Sequence, residues 1–93
     1  MKITVYSSRG CTRCRTLKRW LRRNKVPFLT ENLDETEVMA SLVMRNVFVL
    51  ATPAIEMGDR VFLSDQIFDK NNRLNQEIKR LLKLTKKERE PEQ

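Results

Sequence analysis

Cys11 and Cys14, the chain's two cysteines, stand three positions apart in Cys11-Thr12-Arg13-Cys14, and the sequence contains no histidine. Structural zinc takes four ligands of the Cys/His type. A C-x-x-C with nothing to complete it leaves only a site shared between chains or finished from outside, such as an iron–sulfur cluster bridging two chains through Cys11. A structural disulfide over so short a loop adds little, least of all in a reducing compartment. Two unrelated core cysteines remain open, although Cys11 lies off the apolar stripe that Cys14 joins. The chemistry that uses the pair as it stands is thiol–disulfide exchange, in which one thiolate attacks a disulfide sulfur and the second thiol resolves the mixed disulfide. It requires neither a metal nor a separate general base.

The elements around the pair decide which thiol does what. Lys2 to Tyr6 alternates, with Ile3 and Val5 on one face, and reads as a short strand. From about Cys11 to Lys25 a helix fits, with Cys14, Leu17 and Leu21 at i, i+3 and i+7, Trp20 flanking them as core or pocket wall, and Pro27 closing it. Cys11 then sits where unsatisfied N–H groups and the positive end of the helix dipole stabilise a thiolate. Such positions lower a cysteine pKa from about 8.5 to roughly 3.5–7.5. Cys14, one turn on, points toward the core. Cys11 is therefore the expected nucleophile and Cys14 the resolving thiol.

Phe28 to Leu33 is a second strand candidate. Asp34 and Glu37 then read as a capping box for a helix whose inner face is Val38, Met39, Leu42 and Val43. Ala54–Met57 and Arg60–Leu63 flank Gly58-Asp59, a two-residue hairpin signal. A last helix is expected from about Asn71, carrying Leu74, Ile78, Leu81 and Leu82 inward. The order is β-α-β-α-β-β-α, one α/β domain over residues 1–84, with residues 85–93 a charged tail expected to fray.

At 93 residues and 40% hydrophobic content there is room for one modest core. No stretch approaches the roughly 18–20 apolar residues of a membrane span, and "MKITVY" reads as a strand rather than a leader, so a cytoplasmic protein is expected. The net charge is +7, and residues 1–30 carry nine lysines and arginines and no acid. Beyond Cys14 the outward positions of the first helix are Arg15, Lys18, Arg19, Arg22 and Arg23. Its like-charge i, i+4 pairs each cost roughly 0.2–0.5 kcal/mol, which a merely solvated face avoids by mixing signs. An acidic partner surface is the expected reason, on a protein expected to be a monomer. A small nucleic-acid-binding module with a redox-sensitive cysteine pair is the rival. Against it stand the lack of interleaved surface aromatics, of a groove-reading motif and of a glycine-rich phosphate loop.

A short N-terminal strand, C-x-x-C opening a helix, then Thr52-Pro53 ahead of a hairpin and a final helix resembles the thioredoxin superfamily. "SSRGCTRC" is similar to the glutaredoxin active-site loop, and "VLATPAIEMGDRVFLSDQI" to the cis-proline segment of glutaredoxins and small thioredoxin-like proteins. The resemblance covers residues 1–84. It implies a thioredoxin-like four-stranded mixed sheet flanked by helices, and thiol–disulfide oxidoreductase activity on protein or glutathione mixed disulfides. It implies no resident cofactor, with glutathione a candidate reductant. Pro53 matches the family's cis-proline, and Thr52 would offer its backbone to a substrate chain or to glutathione. Arg9 takes the place of the basic residue ahead of the motif, and Ser64-Asp65 that of the polar pair holding the γ-glutamyl group. Thr12 and Arg13, which stand where glutaredoxins carry Pro-Tyr, join the substrate-binding set. The Gly-Gly after the hairpin is replaced by "VFLSD". Apolar Val47–Leu50 leads into Thr52-Pro53 as in thioredoxin-like proteins. These departures raise a second reading, a glutathione-independent electron carrier served by one dedicated reductase.

Overall fold

The alternation at the N-terminus forms β1 (Ile3–Ser7), and the turn after it leads into α1 (Thr12–Arg23). The computed structural model describes residues 2–89. There follow β2 (Leu29–Asn32), α2 (Thr36–Met44), β3 (Ala54–Met57), β4 (Arg60–Phe62), a single turn α3 (Ser64–Ile67) and α4 (Gln76–Arg89). The sheet order is β2-β1-β3-β4, with β1 parallel to β2 and the other two pairings antiparallel. The mixed four-stranded sheet flanked by helices is the architecture the sequence implied.

The two-residue period of the strands divides the core. Ile3, Val5, Ile55 and Met57 face a layer built from Leu17 and Leu21 of α1, Ile67 and Phe68 around α3, and Ile78 and Leu82 of α4. Trp20 and Phe28 pack partly buried against that layer. On the opposite face Tyr6 and Ala54 meet Leu42 of α2 and Val49, a thinner cluster edged by Val38 and Leu33.

Several boundaries differ from the expected ones for identifiable reasons. Both α1 and α2 end in Schellman motifs, and α1 does so ahead of Pro27, the residue expected to close it. Lys25 and Asn46 adopt positive φ (58° and 62°). Beyond them the Val26 N–H reaches Leu21 O, and the Val47 N–H reaches Leu42 O. The expected Asp34–Glu37 capping box is absent. Glu35 is the N-cap of α2, with no side-chain cap bond, because the Asp34 carboxylate accepts from the Arg9 backbone N–H at 2.9 Å. Val43, assigned to the inner face, is exposed. The last helix starts at Gln76. Ahead of it the Asp69 carboxylate accepts from the Asn71 and Arg73 N–H groups and folds that stretch into a turn. Leu74, assigned to the helix, bridges Phe68 instead. Of the tail, residues 85–89 continue α4 and residues 90–93 lie outside the described residues.

Candidate functional site

Strand pairing assembles the site. β3 runs antiparallel to β1 with Tyr6 opposite Ala54, so the residues leaving the C-terminal end of β1 lie beside those entering β3. The pairing continues beyond the strands, and Ser8 Oγ and Thr52 Oγ1 lie 2.7 Å apart. Likewise β4 pairs Phe62 with Ile55, which brings Ser64, two residues on, alongside the start of β3. Ser64 Oγ donates to Thr52 O at 3.4 Å. Residues 8–14, 52–53 and 64–65, far apart in sequence, thereby meet at one end of the sheet.

Gly10 carries the chain from β1 into the helix at φ 70°, a conformation side chains other than glycine resist. Cys11 is the N-cap of α1, its Sγ accepting from the Cys14 N–H at 3.0 Å. Cys11 and Cys14 form a disulfide with Cα atoms 5.2 Å apart. Cys11 is half-buried, whereas Cys14 is only 2% exposed. An incoming sulfur can therefore reach Cys11, and Cys14 can reach Cys11 alone. The N–H that meets Cys11 Sγ also favours negative charge there once the bond is reduced.

The bond from Thr52 to Pro53 is cis, as the resemblance implied, and Pro53 is fully buried. Arg13, between the cysteines, is drawn inward. It donates through Nη1 to Ser64 Oγ at 3.1 Å and through Nε to Asn72 Oδ1, and its guanidinium stands 5.1 Å from the centre of the Phe68 ring. Ser64 is buried at 5% exposure and engaged on both sides, while Asp65, Thr12 and Arg9 are exposed. Lys18, expected to point outward, is half-buried and donates to Ser7 Oγ at 3.3 Å.

Two depressions flank residues 50–52. One of about 330 Å³ is lined by Arg13, Phe48, Leu50, Leu63, Ser64 and Asp65. The other, about 250 Å³, runs past Ser8, Asp34, Met39 and Thr52. Leu50 is 98% exposed and Phe48 59%. Sequence reasoning took the Val47–Leu50 run as a pattern ahead of Thr52-Pro53 and missed its exposure. It also missed Ser8, Asp34 and Asn72, polar residues in turns whose partners lie 25 to 59 positions away.

Away from this end, Tyr6 OH donates to Glu56 Oε1 at 2.7 Å and Glu56 pairs with Arg45, the residue that ends α2. The Arg45 hydrogen bonds hold the Glu56 carboxyl below its ordinary range. Burial, aided by the bond to Glu56, pushes the Tyr6 phenol up to about 12. Among the described residues no group of three or more His, Cys, Asp or Glu side chains could hold a metal ion, and no helix is long and apolar enough to cross a membrane.

A half-exposed N-cap cysteine, a buried partner one turn on and a cis-proline at the same end of a four-stranded mixed sheet define a dithiol protein of the thioredoxin superfamily. The crystal structure of the thioredoxin-like protein BC3987 superposes with a TM-score of 0.66 at 20% identity, covering 87% of this chain and 99% of that one. The Glutaredoxin family profile matches residues 3–62. The glutaredoxin-like protein NrdH of Lactococcus lactis subsp. cremoris (strain MG1363) is 33% identical over 60 residues, 64% of this chain and 82% of that protein. NrdH of Lactococcus lactis subsp. lactis (strain IL1403) matches to the same extent. The chain belongs to the glutaredoxin family and is a thiol–disulfide oxidoreductase.

Proposed function

We propose that this oxidoreductase reduces disulfides of protein partners through Cys11 and takes its electrons from a dedicated protein reductase rather than from glutathione. The observation that carries this reading is the commitment of Ser64. Its hydroxyl is buried, accepts from Arg13 and donates to Thr52 O. The Ser64 hydroxyl is thus already engaged and is not free to join Asp65 in holding a γ-glutamyl group. The groove beside it is walled by Phe48, Leu50 and Leu63, all exposed. Such a surface suits an apolar segment of a protein chain better than a small, highly charged tripeptide.

In the forward direction the reduced Cys11 thiolate attacks one sulfur of the partner's disulfide. That S–S bond breaks, and the partner's other sulfur leaves as a thiolate and takes a proton from solvent. The mixed disulfide holds the partner segment next to Thr52 and Pro53. Cys14, deprotonated in its turn, attacks Cys11 Sγ and releases the second partner thiolate. Two electrons have then passed to the partner, and the Cys11–Cys14 disulfide of this structure remains. The reductase returns the two electrons by the same exchange in reverse.

The test is a coupled assay on one preparation. NADPH consumption is followed with a disulfide-bonded peptide as acceptor, using glutathione plus glutathione reductase in one arm and thioredoxin reductase in the other. Turnover in the thioredoxin-reductase arm, with little in the glutathione arm, is expected. The reverse ranking would contradict the reading.

A further inference from the structure

The charges on α1 are arranged against the stability of the helix. Its first turn contains no acid, and Arg13 and Arg15 occupy the end where the dipole is positive and cations are unfavourable. Arg15, Arg19 and Arg23 follow one another at i, i+4 spacing, so each neighbouring pair repels. Among the described residues, the ion pairs are Arg45–Glu56 and Arg80–Glu77, both on other elements. Among the described residues, no hydrogen bond, ion pair or ring contact involves the side chains of Arg9, Arg15, Arg19 or Arg23, although Arg13, Lys18 and Arg22 each find a partner in Ser64, Ser7 or the Phe28 ring. The planar fork of these arginines suits carboxylates. Arg9 precedes Cys11, and Arg15, Arg19 and Arg23 extend about 12 Å along the helix beyond it.

We propose that this arginine face docks an acidic protein surface that carries the disulfide presented to Cys11. The proposal rests on the protein-disulfide reading above and names the partner's chemistry. Carboxylates laid along Arg15, Arg19 and Arg23 relieve the like-charge repulsion and orient the partner so that its sulfur arrives at the N-cap. A nucleic acid would use the same cations but would have no use for a reactive sulfur at the head of the row. The field acts chiefly on association, so its effect follows the Debye length, roughly 30 Å at 0.01 M salt and 3 Å at 1 M.

The test uses the reduced full chain. Its probes are two cystine-bridged peptides that differ only in Glu or Lys flanks, and uncharged hydroxyethyl disulfide. At about 0.01 M salt the Glu-flanked peptide should react about tenfold faster than the Lys-flanked one, and the ratio should approach unity at about 1 M. The double variant R19E/R23E should reverse the preference and R19Q/R23Q should remove it. Both should react with hydroxyethyl disulfide as the parent protein does, which also shows that they fold. A low-salt ratio near unity in the parent, or one that R19E/R23E leaves alone, overturns the docking proposal and spares the protein-disulfide reading. A ratio near unity together with oligonucleotide binding that R19E/R23E abolishes assigns the face to nucleic acid and overturns it as well. Inertness toward both peptides while hydroxyethyl disulfide reacts overturns the protein-disulfide reading, and the docking with it.

Discussion

The hydroxyls of Ser8 and Thr52 lie 2.7 Å apart, joining the turn that leads to Cys11 to the residue ahead of Pro53. They meet because the β1–β3 register, Tyr6 opposite Ala54, carries on past the strand ends. The turn before Cys11 and the proline segment are thus held in one frame by a side-chain bond as well as by the sheet.

Thr52→Val keeps the shape of the side chain and removes the hydroxyl, leaving Ser8 without its partner in a part-buried position. A loss of about 1–3 kcal/mol in unfolding free energy is expected, together with slower reaction of Cys11 with a peptide disulfide. Ser8→Ala combined with Thr52→Val should recover part of that stability, because no orphaned hydroxyl remains. Denaturant titration of the single and double variants measures the coupling. Strict additivity would mean the bond contributes nothing.

Leu17 and Leu50 separate stability from recognition. Leu17 is fully buried in the layer between α1 and the sheet, and Leu50 is 98% exposed on the groove rim. Leu17→Ala should cost about 2–5 kcal/mol. Leu50→Ser should change stability by no more than about 0.5 kcal/mol, yet slow the reduction of a protein disulfide severalfold without slowing that of a small neutral one. Thermal melts and single-turnover rates on both variants check the pair of expectations.

The Tyr6–Glu56–Arg45 chain makes stability depend on pH at both ends of the scale. Tyr6 has a folded value of about 12 against an ordinary 10.0, a raised pKa. Its contribution is therefore complete below pH 10 and is lost as pH rises from 10 to 12. Glu56 has a depressed pKa, so its contribution is present above the ordinary glutamate range and is lost as pH falls through the folded value. Tyr6 is the chain's single tyrosine, so phenolate absorbance reports it directly. Tyr6→Phe should flatten the alkaline part of the stability profile and leave the acid part, where Glu56 still pairs with Arg45. An alkaline limb unchanged in that variant would count against the assignment.

What the sequence revealed followed from short-range physics. Alternation gave Ile3 and Val5 their face, the helical period put Cys14 with Leu17 and Leu21, and the spacing of the cysteines gave them unequal exposure. The family resemblance added the cis bond at Pro53. What stayed hidden depended on distant partners. Asp34 has good cap chemistry, but the chain delivers the Arg9 N–H to it. Ser64 and Arg13 read separately as ligand contacts, and only the β3–β4 register brings them together. Lys18 lies at an outward period, but its long stem lets the ammonium reach Ser7. Positive φ at Lys25 and Asn46 ended two helices at residues with no glycine to signal it.

The central claim is that Cys11 attacks and Cys14 resolves, and trapping measures it most directly. The reduced Cys14→Ser and Cys11→Ser variants are each mixed with a disulfide-bonded peptide, and the adducts are located by mass spectrometry after proteolysis. Cys14→Ser should accumulate a stable mixed disulfide on Cys11, formed faster at neutral pH than an ordinary thiol with a pKa of about 8.5 would allow. Cys11→Ser, whose remaining thiol is 2% exposed, should form none on the same timescale. An adduct on Cys14 in Cys11→Ser, with none on Cys11 in Cys14→Ser, would contradict the account.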